Sequence, residues 1–309
     1  MRPRGVFLPV TTPFDPITQG VDESTFLSNL RVWLDHRIAG VLVGGSTGEA
    51  PLLDEDELLR LVERGREAAA DRLVIAGTGA ESTRRTIRLC ADAARRGADA
   101  ALVRPPYYYR SAMTAEALRA HFLAVADASP IPVLLYHVPK YVPVDLAAEL
   151  VAVLAAHENV VGIKDSSGDV AHMGALAEAC EGRAVLLVGS GSTVYAGLEL
   201  GATGGILAVA LPAPAMACAL YEAWEDGDPA AAGRWQEMLG PLNRTVVGRH
   251  GVPGVKYALD RLGYVGGPPR PPLLPLPAAG RREVDSALVR AGLVAETAGP
   301  STEPDSNRA

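Results

Sequence analysis

Short apolar runs alternate with amphipathic stretches through the first two-thirds of the chain. Among the amphipathic stretches, Glu81–Arg96 places Ile87, Cys90 and Ala94 on one face at helical spacing. Strands that alternate with helices predict right-handed βαβ units and a parallel sheet covered by helices. The predicted strands are Val6–Val10, Gly40–Gly44, Leu73–Gly77, Ala98–Val103, Pro132–His137, Val160–Lys164, Ala184–Gly189 and Thr203–Leu207. Helices are predicted over Asp22–Arg37, Asp54–Ala70, Glu81–Arg96, Ala115–Ala128 and Asp145–Ala155.

This alternation predicts an α/β fold, a (β/α)8 TIM barrel with a C-terminal helical extension. Eight strands at roughly 20 to 35 residues per unit fit that barrel, and a doubly wound sheet is the alternative. After Leu207 the alternation stops and helices follow. They are predicted at Pro214–Asp226, Pro229–Gly248, Val252–Gly263 and near Arg281–Ala291. We predict a barrel over residues 1–209, a helical region over 210–295 and a disordered tail over 296–309.

Composition excludes several classes of protein. The chain has 309 residues, of which 48% are hydrophobic and 21% charged, as is typical of a soluble globular enzyme. A net charge of -7 without any Lys/Arg-rich block argues against binding nucleic acid. No apolar run is long enough for a membrane span or a signal-peptide core. Cys90, Cys180 and Cys218 form no CxxC pair, which predicts reduced thiols in a cytoplasmic protein. The six histidines lack HxH or HExxH spacing, so no metal is predicted.

Lys164 ends a β-branched apolar run and precedes the turn residues Asp165–Asp169. It therefore reads as a lysine at the end of a buried strand, where desolvation favours the free amine. A free amine attacks a carbonyl to form a Schiff base. The alternative is a lysine whose ammonium extends to water while its stem packs on the sheet.

Other polar groups follow the predicted strands, where a parallel barrel places its chemistry. Gly44–Ala50 sets Ser46 and Thr47 among glycines, which suits a bound carboxylate, or alternatively a plain turn that caps a helix. It is not a phosphate-binding P-loop, because no Gly-Lys-Ser/Thr follows. Gly189–Ser192 is open enough for a ligand to touch backbone, but Val194 breaks the GxGxxG dinucleotide pattern.

Tyrosines follow two of the predicted strands. Tyr107, Tyr108 and Tyr109 follow the fourth strand, either as phenols at the rim of a site or as interface packing. Tyr136 and His137 end the fifth strand and compete for a role in proton transfer. A strand-end tyrosine that only packs is the alternative for Tyr136.

In this order the motifs resemble the pyruvate-dependent class I aldolases related to dihydrodipicolinate synthase and N-acetylneuraminate lyase. The resemblance runs from Pro9–Phe14 to Arg270–Leu273. Its most specific elements are GSTGE at Gly45–Glu49, YxxP at Tyr136–Pro139 and GIKDSSGD at Gly162–Asp169. It implies a (β/α)8 barrel with C-terminal helices, assembled as a dimer of dimers, that acts on a small 2-oxo acid. It implies no cofactor beyond the covalent Schiff base.

The resemblance also implies roles for single residues. Lys164 would form the Schiff base, and Tyr136 would shuttle protons. Ser46 would relay protons between Tyr136 and Tyr108, the latter supplied across the dimer interface. Thr47 and nearby backbone N–H groups would hold the pyruvate carboxylate, and Ile206 would lie against the imine. The further substrate-binding positions are Gly45, Gly189, Ser166 and Tyr141.

The identity of residue 141 separates members of this family. Lysine-pathway synthases typically place an arginine two residues after the YxxP proline, where this chain has Tyr141, preceded by Lys140. Tyrosine lacks the charged fork with which arginine binds a carboxylate. Other stretches resemble 4-hydroxy-2-oxoglutarate aldolases, namely Ala76–Thr83, Tyr108–Arg110, Ala126–Val133, Gly251–Lys256 and Gly263–Pro268, although Thr47 stands where those enzymes commonly have asparagine.

The leading hypothesis is therefore cleavage of 4-hydroxy-2-oxoglutarate to pyruvate and glyoxylate. The main alternative is 4-hydroxy-tetrahydrodipicolinate synthase, which condenses pyruvate with aspartate semialdehyde. Sugar-acid dehydratases and hydratase-aldolases of the same family stay open. A catalytically silent barrel that senses a sugar acid would not need Lys164, Tyr136 and Ser46 together.

Overall fold

The computed structural model describes residues 1–295, and the tail predicted to be disordered, residues 296–309, lies outside the described residues. Eight parallel strands pair in chain order and close into a barrel. The strands are β1 (Gly5–Pro9), β2 (Gly40–Val43), β3 (Leu73–Gly77), β4 (Ala100–Val103), β5 (Val133–His137), β6 (Val160–Asp165), β7 (Val185–Val188) and β8 (Gly204–Ile206). The predicted TIM barrel is confirmed, and the doubly wound alternative is wrong.

Helices cover the outside of the barrel. Those that follow strands β1 to β7 are α1 (Glu23–Leu34), α2 (Glu55–Ala69), α3 (Thr83–Arg95), α4 (Ala115–Ala128), α5 (Ala148–Leu154), α6 (Val170–Cys180) and α7 (Val194–Glu199). Those that follow β8 are α8 (Pro214–Glu225), α9 (Pro229–Asn243), α10 (Gly251–Arg261) and α11 (Ala278–Arg290). No helix among residues 1–295 is long and apolar enough to cross a membrane.

The strands are apolar on both faces because both faces are buried. In β1, Val6 and Leu8 belong to the same apolar cluster as Trp33 of α1. Phe7, between them, belongs to a second cluster with Leu42 of β2. Successive side chains thus point alternately to the outer helices and to the barrel interior. This alternation decides which polar residues at the strand ends reach the barrel axis.

The helices after β8 pack onto the barrel. Leu242, Val255 and Leu288 belong to the apolar cluster that also contains Leu8 of β1. The division into a barrel over residues 1–209 and a helical region over 210–295 stays our proposal. It follows the end of the strand–helix alternation.

Several predicted helices differ at their ends from the observed ones, and two of these differences concern residues near the site. The helix predicted over Pro229–Gly248 ends at Asn243 and continues as a π-helical turn over Arg244–Arg249. Pro241 cannot donate the backbone hydrogen bond that a regular helix needs there. The helix predicted from Asp145 begins only at Ala148, and Asp145 lies in the irregular segment that precedes it.

Candidate active site

A cavity of about 320 Å³ lies at the C-terminal ends of the strands. This is the end at which barrel enzymes place their active sites. Most of the residues predicted from the sequence line it, namely Ser46, Thr47, Tyr136, Tyr141, Lys164, Ser166, Gly189 and Ile206. The fold therefore gathers side chains that lie up to 160 residues apart in the chain, from Ser46 to Ile206.

Lys164 and Tyr136 lie side by side on neighbouring strands. They are register partners in the β5–β6 pair and so point to the same face of the sheet. Lys164 is 4% exposed and Tyr136 6% exposed. The Lys164 Nζ lies 4.5 Å from the centroid of the Tyr136 ring. No ion pair among residues 1–295 involves Lys164, so no protein carboxylate occupies its amine.

The loop after β2 presents hydrogen-bond donors to the cavity. The Ser46 Oγ lies 3.3 Å from the Tyr136 Oη, within hydrogen-bond distance. Among residues 1–295, the backbone N–H groups of Ser46 and Thr47 have no protein acceptor. Gly44 allows the chain to turn here, since its φ of 69° lies in the left-handed region. Neutral donors of this kind suit a carboxylate.

A buried ion pair anchors that loop from behind. The Lys256 Nζ lies 2.6 Å from the Glu49 Oε1, and both side chains are fully buried. Lys256 also donates to the Pro268 carbonyl at 2.8 Å, and the Arg270 N–H donates to the Glu49 Oε2 at 2.8 Å. Burial lowers the pKa of Lys256, and the Glu49 carboxylate opposes that shift. The sequence analysis missed this pair because its members lie 207 residues apart.

The opposite wall is formed by the loops after β6 and β7. The Gly189 N–H donates to the Asp165 carbonyl at 2.6 Å. A Cβ on Gly189 would lie 2.0 Å from the Ser166 Oγ, so no larger residue fits without moving Ser166. The Asn243 side-chain amide donates to the Ser192 Oγ at 2.9 Å. This bond joins the β7 loop to the end of α9.

The mouth of the cavity carries two basic residues beside Tyr141. The Lys140 Nζ donates to the carbonyls of Gly248 at 2.7 Å and Val247 at 3.2 Å, and burial lowers its pKa. Arg244 lines the cavity and has no carboxylate partner among residues 1–295. The sequence analysis missed Arg244, because nothing in the local pattern indicates that the π-helical turn reaches the barrel mouth.

Three other candidates lie outside this cavity. Tyr108 is 76% exposed, and its backbone N–H donates to Glu81 at 2.9 Å. Gly45 lines a small adjoining cavity together with Ser46 and Tyr136. The His137 Nδ1 lies 2.6 Å from the Asp165 Oδ1, within hydrogen-bond distance, and His137 does not line the cavity. Of the two residues that compete for proton transfer, Tyr136 is the one in the cavity.

A closed (β/α)8 barrel with a buried lysine, an adjacent tyrosine and a donor-rich loop defines a class of enzyme, the Schiff-base lyases. The family model described as "Dihydrodipicolinate synthetase family" matches residues 2–291. The chain belongs to this family and is a pyruvate-dependent class I lyase of the aldolase type. Enzymes of the family bind pyruvate as a Schiff base on a lysine and use no external cofactor.

Relatives and solved structures agree with this assignment. The chain is 33% identical to a 4-hydroxy-tetrahydrodipicolinate synthase of Bartonella bacilliformis, covering 95% of this chain and 99% of that one. It is 36% identical to the synthase of Rhizobium meliloti, covering 94% and 99%. The structure of the Acinetobacter baumannii dihydrodipicolinate synthase with pyruvate superposes with a TM-score of 0.89 at 32% identity, covering 94% and 99%.

A second similar structure is described as a member of the family and not as a synthase itself. It is a prophage protein of the same family from E. coli K12, in complex with pyruvate, with a TM-score of 0.88 at 28% identity and coverage of 94% and 99%. The predicted family is thus confirmed. The closer resemblance to 4-hydroxy-2-oxoglutarate aldolases is not shown by these relatives.

Proposed function

We propose that Lys164 forms the Schiff base with pyruvate. The observation that carries the proposal is a difference among the three lysines of the chain, Lys140, Lys164 and Lys256. Lys256 is held by the buried Glu49 carboxylate, and Lys140 by two backbone carbonyls. Lys164 is the one whose amine faces the cavity without such a partner among residues 1–295.

The neighbouring groups fit the steps of that chemistry. Attack of the Lys164 amine on the pyruvate carbonyl and loss of water give an imine, and loss of a C3 proton gives an enamine. The enamine carbon attacks an aldehyde, whose oxygen then takes a proton, and cleavage is the same sequence reversed. Tyr136, in reach of the Ser46 hydroxyl, would carry these protons. The Ser46 and Thr47 N–H groups would hold the pyruvate carboxylate.

For the second substrate we propose aspartate semialdehyde, which makes the reaction that of 4-hydroxy-tetrahydrodipicolinate synthase. This proposal rests on the relatives above, which bear that name and cover nearly the whole chain. They support the synthase better than the aldolase that the sequence motifs favoured. Arg244 at the cavity mouth supplies a cation for the semialdehyde carboxylate, which Tyr141 cannot bind by charge.

The second candidate is cleavage of 4-hydroxy-2-oxoglutarate to pyruvate and glyoxylate. One observation favours it. The position at which synthases typically have arginine is Tyr141, and the adjacent Lys140 donates to backbone carbonyls and does not replace that arginine. Glyoxylate also has a carboxylate, so Arg244 would serve either acceptor.

Steady-state kinetics on both substrates test the choice. The synthase proposal predicts a higher kcat/KM for condensation of pyruvate with aspartate semialdehyde than for pyruvate release from 4-hydroxy-2-oxoglutarate. The reverse order would establish the aldolase. A sugar 2-oxo acid in the same panel, followed by coupled NADH consumption or by product mass, would reveal a dehydratase or hydratase-aldolase.

We also propose a homotetramer, a dimer of dimers, in which Tyr108 completes the partner subunit's site. The proposal rests on the exposed position of Tyr108 outside its own cavity and on the family resemblance. One similar solved structure is that of a monomeric dihydrodipicolinate synthase variant, and an experiment on mixed protomers tests the assembly of this chain. Mixing inactive Tyr108→Phe and Lys164→Ala protomers should restore some activity, because one site in each heterodimer is intact. Unrescued loss after confirmed subunit exchange would contradict a shared site.

We propose a cytoplasmic location because the cysteines are buried, free thiols. Cys90, Cys180 and Cys218 are buried and unpaired. Burial raises the pKa of each thiol, to about 11 for Cys180 and Cys218. Free, unreactive thiols are typical of proteins in a reducing compartment.

A further inference from the structure

Two histidines and a carboxylate cluster on the outer face of the barrel, directly behind the candidate active site. His137 and Asp165 are register partners on β5 and β6, each one residue after Tyr136 and Lys164. Because side chains alternate along a strand, they point away from the cavity. There His137 meets His172 of α6, with ring centroids 4.7 Å apart, and Asp145 of the segment before α5.

The donor atoms of three side chains lie close together. One donor atom from each of His137, Asp145 and His172 lies within 4.8 Å of the other two. The His137 Nε2 and the Asp145 Oδ1 are 3.2 Å apart. In a tetrahedral Zn²⁺ site with bonds of about 2.0 Å, neighbouring ligand atoms lie about 3.3 Å apart. Asp145 is 70% exposed and precedes α5, so its side chain can adjust towards the histidines.

A buried carboxylate holds the other side of the His137 ring. The His137 Nδ1 lies 2.6 Å from the Oδ1 of the fully buried Asp165. A carboxylate behind the histidine is also the usual outer-shell arrangement of metal-binding histidines. The buried His172 Nε2 has no hydrogen-bond partner among residues 1–295.

We propose that His137, His172 and Asp145 bind a first-row divalent cation of the Zn²⁺ type, with water at the fourth position. Two imidazoles and one carboxylate suit Zn²⁺ or Co²⁺, whereas Mg²⁺ and Ca²⁺ prefer oxygen ligands. Asp145 also lines a groove on the surface, which gives the ion a route from solvent. The sequence did not reveal this site, because its ligands are separated by 8 and 27 residues.

The site is structural or regulatory, since none of its ligands lines the catalytic cavity. The ion would join β5, α6 and the segment that follows Tyr141, and so would fix the wall that carries Tyr136 and Tyr141. Binding should therefore raise the thermal unfolding midpoint, because the cation binds the folded chain.

Titration of the untagged protein with Co²⁺ tests the proposal. We expect one equivalent of Co²⁺ to bind, with the visible absorption of tetrahedral Co²⁺, and Zn²⁺ but not Mg²⁺ to displace it. His172→Gln and Asp145→Asn should each lower the affinity about tenfold or more. Asp145→Asn keeps the size of an exposed side chain, so its result does not depend on tolerance of a core change.

His157→Gln is the matched control. His157 pairs with Asp127 at 2.9 Å but has no second histidine in a cluster among residues 1–295. This variant should bind Co²⁺ as the wild type does. Absence of a tetrahedral band in the wild type would overturn the proposal. So would equal Co²⁺ affinity in the wild type, His172→Gln and Asp145→Asn.

Discussion

Breaking the buried Glu49–Lys256 pair should destabilise the protein and loosen the loop that carries Ser46 and Thr47. Lys256→Met removes one charge and leaves the fully buried Glu49 carboxylate with the Arg270 N–H as its remaining donor. Removing one partner of a buried pair costs about 3 to 5 kcal/mol, because the other charge stays uncompensated. Replacing both charged groups by neutral ones of similar volume often costs little.

A double-mutant cycle measures this coupling. Urea denaturation of Lys256→Met, Glu49→Gln and the double variant should give single losses of about 3 to 5 kcal/mol and a double loss well below their sum. Pyruvate KM should rise in the single variants, since Glu49 anchors the loop that we propose binds the pyruvate carboxylate. Additive losses, or singles that unfold like the wild type, would refute the reasoning.

Three further perturbations follow from the same structure. Arg244→Gln should raise KM for the aldehyde substrate about 10- to 150-fold, the equivalent of about 1.5 to 3 kcal/mol, whereas Arg234→Gln on the exposed side of α9 should not. Tyr141→Arg should shift the kcat/KM ratio towards condensation with aspartate semialdehyde, and an unchanged ratio would remove residue 141 from specificity. Hydrogen bonds from Arg270 lower the pKa of Glu57. Glu57→Gln should therefore lower the free energy of unfolding by a constant amount above pH 4.5. This difference from the wild type should vanish as the pH falls through the lowered pKa of Glu57, which denaturation at several pH values measures.

The barrel could be predicted because its signal is local. Strands buried on both faces must be continuously apolar, and the intervening helices must be amphipathic, so both are visible in short windows. The candidate site residues could then be sought at the strand ends, because a parallel barrel brings the C-terminal ends of all its strands to one rim. Lys164, Tyr136 and Ser46 were found in this way, and eight of the ten predicted site residues line the cavity.

What the sequence did not reveal depends on distant contacts. Lys256 meets Glu49 across 207 residues, and Arg244 lines the cavity from the π-helical turn that follows α9. The approach of His137 and His172 depends equally on where the start of α6 lies relative to the end of β5. Tertiary packing sets these encounters, and no local pattern encodes them.

Reductive trapping tests the central claim most directly. The protein is incubated with pyruvate and borohydride, and peptide mass spectrometry locates the adduct. The account predicts one reduced pyruvyl group per chain on the peptide that contains Lys164, unchanged in Lys140→Met and absent in Lys164→Ala, whose fold should remain intact by circular dichroism. An adduct on Lys140 or Lys256, or pyruvate-dependent turnover that persists in Lys164→Ala, would contradict it.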